Sequence, residues 1–168
     1  MKETIKIIGF YIALLGIPFI ALDAQQSANA GYYTAETECL GVEMDGSVTL
    51  KAWGTGRNRF DAVEQAKKVA LRDVLFKGIR KGNGDCNPRP LVPEVNAEMK
   101  HERYFNKFFS SKRGDYKDFV SGKDERIDEK IFRKKKGAPN GVTYSVVVRV
   151  LRSELQAQLI EDGIIGGK

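Results

Sequence analysis

Few side chains in this sequence have the type and spacing that catalysis or metal binding needs. His101 is the single histidine, and Phe105 stands where a zinc-binding helix carries its second histidine. A catalytic zinc site and a histidine-based triad are therefore not expected. Cys39 and Cys86 lack the close spacing of a metal-binding or redox pair, and in an oxidising compartment one disulfide between them is expected, with two separate thiols as the alternative. We expect no catalytic residue, no metal and no cofactor.

A glycine-rich segment runs from Gly54 to Arg59 with the sequence Gly-Thr-Gly-Arg-Asn-Arg. A glycine-rich turn before a helix can present backbone amides to a phosphate, and Arg57 and Arg59 would add positive charge. The dinucleotide fingerprint needs a third glycine where Arg59 stands, and no Lys-Ser/Thr pair of a phosphate loop follows. The pattern therefore favours a tight strand-to-helix connection over a nucleotide site.

Charged residues are concentrated in two places. Between Asp115 and Lys130 the carboxylates are interleaved with lysine and arginine, which is typical of a solvated surface rather than of the paired carboxylates that cleave glycans. The run 133–136 is wholly basic, and at a hairpin tip it would direct positive charge toward an anionic lipid or polymer. The alternative is that these residues only protect a sheet edge. The candidate anionic-ligand or partner surface consists of Arg57, Arg59, Arg133, Lys134, Lys135 and Lys136.

The first thirty residues have the pattern of a secretory signal peptide. Lys2 and Lys6 precede an apolar run from Ile7 to Leu22, and small residues follow. We predict cleavage after Ala24 or Ala30 and a location in the periplasm, in the cell envelope or outside the cell. A retained membrane anchor is the alternative, although the run is shorter than the roughly 20 residues that span a bilayer. The formal charge of +6 suits anionic partners, and export argues against nucleic acid.

Residues 31–168 predict a single domain of the α+β class. The predicted strands cover 39–44, 47–53, 126–133 and 142–151, with a short extended piece at 116–120; the predicted helices cover 59–80, 94–111 and a segment from Ser153. Asp45-Gly46 predicts a two-residue hairpin turn. Ser153 and Gln156 fit a capping box for the last helix, which Gly163 ends. These elements predict a four-stranded, mainly antiparallel sheet of two hairpins, with two to three helices on one face.

The helical segments also predict which side chains face the core. The first helix has an apolar stripe that begins at Phe60, and alanines at every fourth position from Ala62 would let it lie close to the sheet. The second has as its apolar residues Val95, Met99, Phe105, Phe108 and Phe109. We expect its aromatic side chains to pack in the core, with exposure to a partner as the alternative.

Two stretches of this pattern resemble a known family. Residues 52–70 join a strand, a Gly-x-Gly turn and an alanine-rich helix, and residues 141–164 join a valine-rich strand to a helix that ends at a glycine. Together they resemble the amino-terminal domain of the bacterial flagellar assembly protein T and the related small envelope lipoproteins. The resemblance implies a small envelope domain that binds or assembles with other proteins. This chain lacks the cysteine at the end of the apolar run that the lipoprotein members acylate.

The sequence therefore predicts an exported, non-enzymatic protein of the bacterial cell envelope. It would act through protein–protein contacts, as an assembly or accessory factor of an envelope complex whose proteins are its partners. The alternative is a binder of anionic envelope polymer or lipid that uses the basic hairpin from Arg133 to Lys136.

Overall fold

The computed structural model describes residues 36–133 and 141–166. These residues belong to one compact unit that begins at Ala35. The predicted signal peptide, its two cleavage sites and the basic residues Lys134, Lys135 and Lys136 lie outside the described residues.

The described residues form a five-stranded mixed sheet. Its strands are β1 (Glu38–Val42), β2 (Val48–Gly56), β3 (Lys81–Gly82), β4 (Val120–Arg133) and β5 (Gly141–Val150). They are arranged in the order β3-β1-β2-β5-β4, and every neighbouring pair is antiparallel except β1 and β3. The α+β class is confirmed, but the four-stranded sheet is wrong in detail. The additional strand β3 has only two residues, in a segment whose composition indicates a loop.

Within the described part of the chain, four α-helices accompany the sheet. They are α1 (Arg59–Arg72), α2 (Ala97–Lys100), α3 (Glu102–Phe108) and α4 (Arg152–Glu161). A π-helical turn, Asp73–Lys77, extends α1, and a 3-10 turn, Asp115–Phe119, precedes β4. The short extended piece predicted at 116–120 is therefore wrong over most of its length, because the strand begins only at Val120.

The predicted helix 94–111 is broken into α2 and α3 at His101. This residue leaves the helical region (φ −110°, ψ 35°), and Asn96 before α2 has a left-handed conformation with φ 61°. The change of direction lets Phe105 and Phe108 enter the core, while Met99 on α2 stays in solvent.

The hairpin between β1 and β2 turns at Asp45 and Gly46, as predicted, but its loop is longer than two residues. The Glu43 amide donates to the Ser47 carbonyl at 2.9 Å, so this pair closes a loop of the three residues 44–46. Only Gly46 has positive φ (79°), whereas a two-residue turn of the predicted type needs positive φ at both centres. The Asp45 carboxylate accepts the Ser47 amide proton at 2.9 Å and stabilises the longer loop.

Helix α1 packs against β2 and β5, and its alanine row is buried as predicted. A Cβ atom on Gly54 would lie 2.0 Å from the Ala62 carbonyl oxygen, and one on Gly56 would lie 2.4 Å from the Ala62 amide nitrogen. The two glycines therefore let the helix backbone lie directly on the strand. Phe60 precedes this contact, beyond the end of β2, and is 73% exposed. Its predicted position in the core stripe is wrong.

Helix α4 ends as predicted and begins differently. The Ile164 amide donates to the Leu159 carbonyl at 2.9 Å, and Gly163 has φ 69°, which together form a Schellman cap. The capping box predicted at Ser153 is wrong, because the helix begins one residue earlier, at Arg152. Leu151 is the N-cap residue, and no side chain caps this end.

Candidate functional site

The two cysteines are brought together. Cys39 lies in β1 and Cys86 in the loop after β3, with a Cα–Cα distance of 6.3 Å and sulfur atoms at disulfide-bonding distance. Both are buried, and the Asn83 amide donates to the Cys39 carbonyl at 2.9 Å. The first residues of the loop that begins at Gly82 are thus attached to β1, as the predicted pairing of Cys39 with Cys86 requires.

The same loop is attached at a second point. The Leu91 and Val92 amides donate to the carbonyls of Val74 and Leu75, at 3.0 and 2.8 Å. The last carbonyls of a helix have no partner within it, so these bonds satisfy the end of the π-helical turn. Leu91 and Val92 are also buried. The segment 82–92 is therefore held on both sides before the chain reaches α2.

Beyond this segment, two apolar side chains point into solvent. Val95 is 83% exposed and Met99 is 76% exposed. Ion pairs lie beside them: Arg72 of α1 with Glu98, and Lys100 with Glu94, the latter at 2.7 Å. We call Val95 and Met99 the insertion surface. Because its supporting loop is attached at two points, this surface would bind a partner with little loss of conformational entropy.

A second exposed region lies where β2 and β4 end. Gly56 pairs with Val142 of β5, Val142 pairs with Phe132 of β4, and Arg133 pairs with Gly141 in the next row. Arg57 follows Gly56 directly, so the backbones of Arg57 and Arg133 end two strand spacings apart, about 10 Å. The sheet thus brings together the two basic segments of the predicted site. We call Arg57, Arg59 and Arg133 the basic end.

The side chains of the basic end that the structure describes are open to solvent. Arg57 is 90% exposed, and its Nε donates to Asp61 at 3.1 Å. Arg59, the first residue of α1, is also exposed. Asn58 caps α1 by accepting the Asp61 amide proton at 2.9 Å. The positive end of the dipole of α1 therefore adds to the charge of these arginines.

An open cavity of about 440 Å³ lies beside Arg57 and Phe60. Two further cations line it, Lys68 and Lys117, which sequence patterns did not single out. Lys68 Nζ donates to Ser111 Oγ at 3.0 Å, and burial lowers the pKa of Lys68 below its ordinary value of 10.5. The only advance signal for Lys68 was its place in the predicted helix that follows the glycine-rich segment.

The carboxylate of Glu64 in this cavity is already engaged. The Tyr116 hydroxyl donates to it at 2.6 Å and Lys67 lies at 3.0 Å. Burial acts to raise the pKa of Glu64, but these two hydrogen bonds outweigh it and hold the pKa below its ordinary value of 4.5. A lowered pKa in the folded state stabilises the fold above the unfolded pKa, and this stabilisation is lost as pH falls through the folded value.

Two of the carboxylates that the sequence assigns to a solvated surface have described side chains at a second cavity. Asp115 and Asp118 line another open cavity, of about 470 Å³, together with Asp162 of α4. The Tyr104 hydroxyl donates to Asp162 at 2.7 Å, and burial, with this carboxylate, raises the pKa of Tyr104. Lys107 lies 3.5 Å from Asp115. The carboxylates of this cavity are therefore partly paired, and Tyr104, Phe108 and Phe119 form the aromatic part of its wall.

Residues 36–133 and 141–166 offer neither a metal-binding cluster nor a membrane span. No group of three or more histidine, cysteine, aspartate or glutamate side chains in these ranges could hold a metal ion. No helix there is long and apolar enough to cross a bilayer. His101 lies between α2 and α3, partly exposed.

Comparisons with protein-family models, with curated proteins and with solved structures gave no match to this chain. The resemblance to the flagellar assembly protein family gains no support from them and stays a prediction. Function must therefore be argued from the two surfaces themselves.

Proposed function

We propose that the protein is an exported, non-enzymatic protein of the bacterial cell envelope that acts through protein–protein contacts, as an assembly or accessory factor. The signal-peptide pattern supports export, and the sequence offers no motif of a known catalytic set. The observation that carries the proposal is the insertion surface. Val95 and Met99 are exposed directly after the segment 82–92, which the cysteine pair and the Leu91 and Val92 hydrogen bonds hold in place.

An apolar pair of this kind suits a protein partner. Each side chain that becomes fully buried in an interface contributes about 1.5–3 kcal/mol of hydrophobic free energy. The neighbouring pairs Arg72–Glu98 and Lys100–Glu94 would then lie at a polar rim. A fixed apolar centre with a charged rim is the arrangement in which a few residues supply most of the binding energy.

The test places a photo-crosslinking residue at position 99 in the native envelope, and the same residue at position 44 as the control. Met44 is fully exposed on the β1–β2 hairpin. Crosslinked proteins are identified by mass spectrometry, and each is then tagged in turn to recover this chain. We expect a defined set of envelope proteins from position 99 that is missing from position 44.

Substitutions then quantify the contact. Val95→Ser with Met99→Ser should lower the recovery of these partners at least tenfold, because each truncation removes more than about 1 kcal/mol. Val42→Ser with Met44→Ser changes the same residue types on another exposed surface and should leave recovery unchanged. Equal recovery by both double variants, or no protein crosslinked from position 99, would contradict the proposal.

A further inference from the structure

We propose that the basic end binds the surface of an anionic phospholipid bilayer. The insertion surface takes no part in this contact. Three observations coincide at the basic end: converging cationic segments, an exposed aromatic side chain, and a cavity open to solvent with cationic walls.

The first observation is the convergence of charge. The register of β2, β5 and β4 places Arg57 and Arg133 at the same end of the sheet, where β2 and β4 terminate. Arg59 and the positive end of the α1 dipole lie at that end as well. Asp61 is the carboxylate nearest to Arg57, and it pairs with that side chain. A surface of this kind attracts anionic headgroups, and each cation near the membrane strengthens the attraction.

The second observation is Phe60. It is 73% exposed and lies on the first turn of α1, one residue after Arg59. Proteins that lie on a bilayer combine arginine and lysine with aromatic side chains that enter the boundary between headgroups and acyl chains. With Phe60 at that boundary, Arg57 and Arg59 beside it would lie at the level of the anionic headgroups.

The third observation is the cavity of about 440 Å³ beside these residues. Arg57, Lys68 and Lys117 line it, against the carboxylates of Asp61 and Glu64. Asp61 pairs with Arg57, and Glu64 is engaged by Tyr116 and by Lys67. Lys68 and Lys117 each donate one hydrogen bond to Ser111, to its Oγ at 3.0 Å and to its carbonyl at 3.3 Å. Each ammonium group has three donors, so both can also donate to the phosphate of a lipid headgroup.

The experiment measures partition of the exported protein into vesicles of phosphatidylcholine with and without phosphatidylglycerol, over a range of salt. The test variant is Arg57→Gln with Arg59→Gln. Arg80→Gln with Arg103→Gln is the control, since it removes the same charge from exposed positions elsewhere. All variants keep the same amino terminus, so any affinity of that segment for lipid cancels in the comparison.

We expect binding that needs phosphatidylglycerol and weakens with salt, since surface charges are screened. The test variant should bind about thirtyfold more weakly, whereas the control should stay within about threefold of the unchanged protein. Phe60→Ser should lower partition about tenfold without changing its salt dependence. Thermal melts should be unchanged in all variants, because each altered side chain is exposed.

Several results would overturn the inference. These are equal binding to both vesicle types, equal loss in the test and control variants, and full competition by soluble glycerol phosphate, which would indicate a small anion. Capture of an acidic protein through Arg57 and Arg59, with no partition into phosphatidylglycerol vesicles, would do the same.

Discussion

The contact between Gly54 and α1 gives a sharp prediction, because the space for a side chain there is already occupied. Gly54→Ala would place Cβ 2.0 Å from the Ala62 carbonyl oxygen, 2.3 Å from the Ala66 amide nitrogen and 2.9 Å from the Ala66 Cα atom. All three are backbone atoms, so no rotamer change can relieve the overlap. The helix must move instead.

The size of that movement sets the expected cost. Comfortable contact between carbon atoms is 3.5–4.0 Å, so the α1 backbone would have to shift by at least about 1 Å away from β2. Ala62 and Ala66 are both fully buried against the sheet, and the shift would open their packing. Overpacking of this kind costs about 3 kcal/mol, which corresponds to a fall in Tm of about 10 °C.

The assay is denaturant and thermal unfolding of Gly54→Ala beside Gly41→Ala. A Cβ atom on Gly41, in β1, would meet nothing within 4 Å. Gly41→Ala should therefore leave the free energy of unfolding unchanged, or raise it by up to about 1 kcal/mol through the unfolded state. If the two variants unfold within about 1 kcal/mol of each other, the close packing of α1 on Gly54 is wrong. A change in anion binding at unchanged stability would instead favour the phosphate-loop interpretation.

Three further outcomes are expected. Replacing Cys39 and Cys86 together by serine should lower the free energy of unfolding by about 4 kcal/mol in the chain-entropy model, given their separation of 47 residues, as measured beside the oxidised protein in urea. Tyr116→Phe should cost about 1 kcal/mol at neutral pH by removing the hydrogen bond to Glu64. It should also reduce the loss of stability as pH falls below about 4.5, which a series of melts at different pH would measure. Asn58→Ala should cost about 1 kcal/mol, measured by denaturation, through loss of the α1 cap.

The elements that local patterns specify were predicted well. Val146, Val148 and Val150 share one face of β5 and are buried, and Ser145 and Val147 on the other face are buried as well. Gly163 ends α4 because only a residue tolerant of positive φ suits that position. In both cases the deciding interactions lie within a few residues along the chain.

Features that depend on distant contacts could not be predicted in this way. The pairing of β3 with β1 involves two residues, Lys81 and Gly82, and it forms beside the cysteine pair rather than from any strand propensity. The apolar residues of the predicted helix 94–111 could not all face the core. Val95 and Phe108 differ by 13 positions and fall on opposed sides of an ideal helix, so one face could not bury both. In the structure Phe108 is buried and Val95 is exposed.

The same difference between local patterns and distant contacts holds for the basic end and the cavity beside it. Arg57 and Arg133 were predicted as parts of one candidate surface, but no local sequence pattern places these two distant positions side by side. Their meeting depends on β2 pairing with β5, a register fixed by the packing of both strands under α1. Lys68 and Lys117 are near each other only because the 3-10 turn that contains Tyr116 lies against α1 at Glu64. Topology, rather than local composition, assembles this region.

The two proposed contacts are far enough apart to be tested independently. Arg59 begins α1, and Arg72, which pairs with Glu98 beside Met99, ends it. Fourteen residues at 1.5 Å each separate the basic end from the insertion surface by about 20 Å along the helix axis. Substitutions at such a distance add without coupling. The loss of apolar side chains at Val95 and Met99 should therefore leave vesicle partition unchanged, and a joint loss would mean that one surface performs both roles.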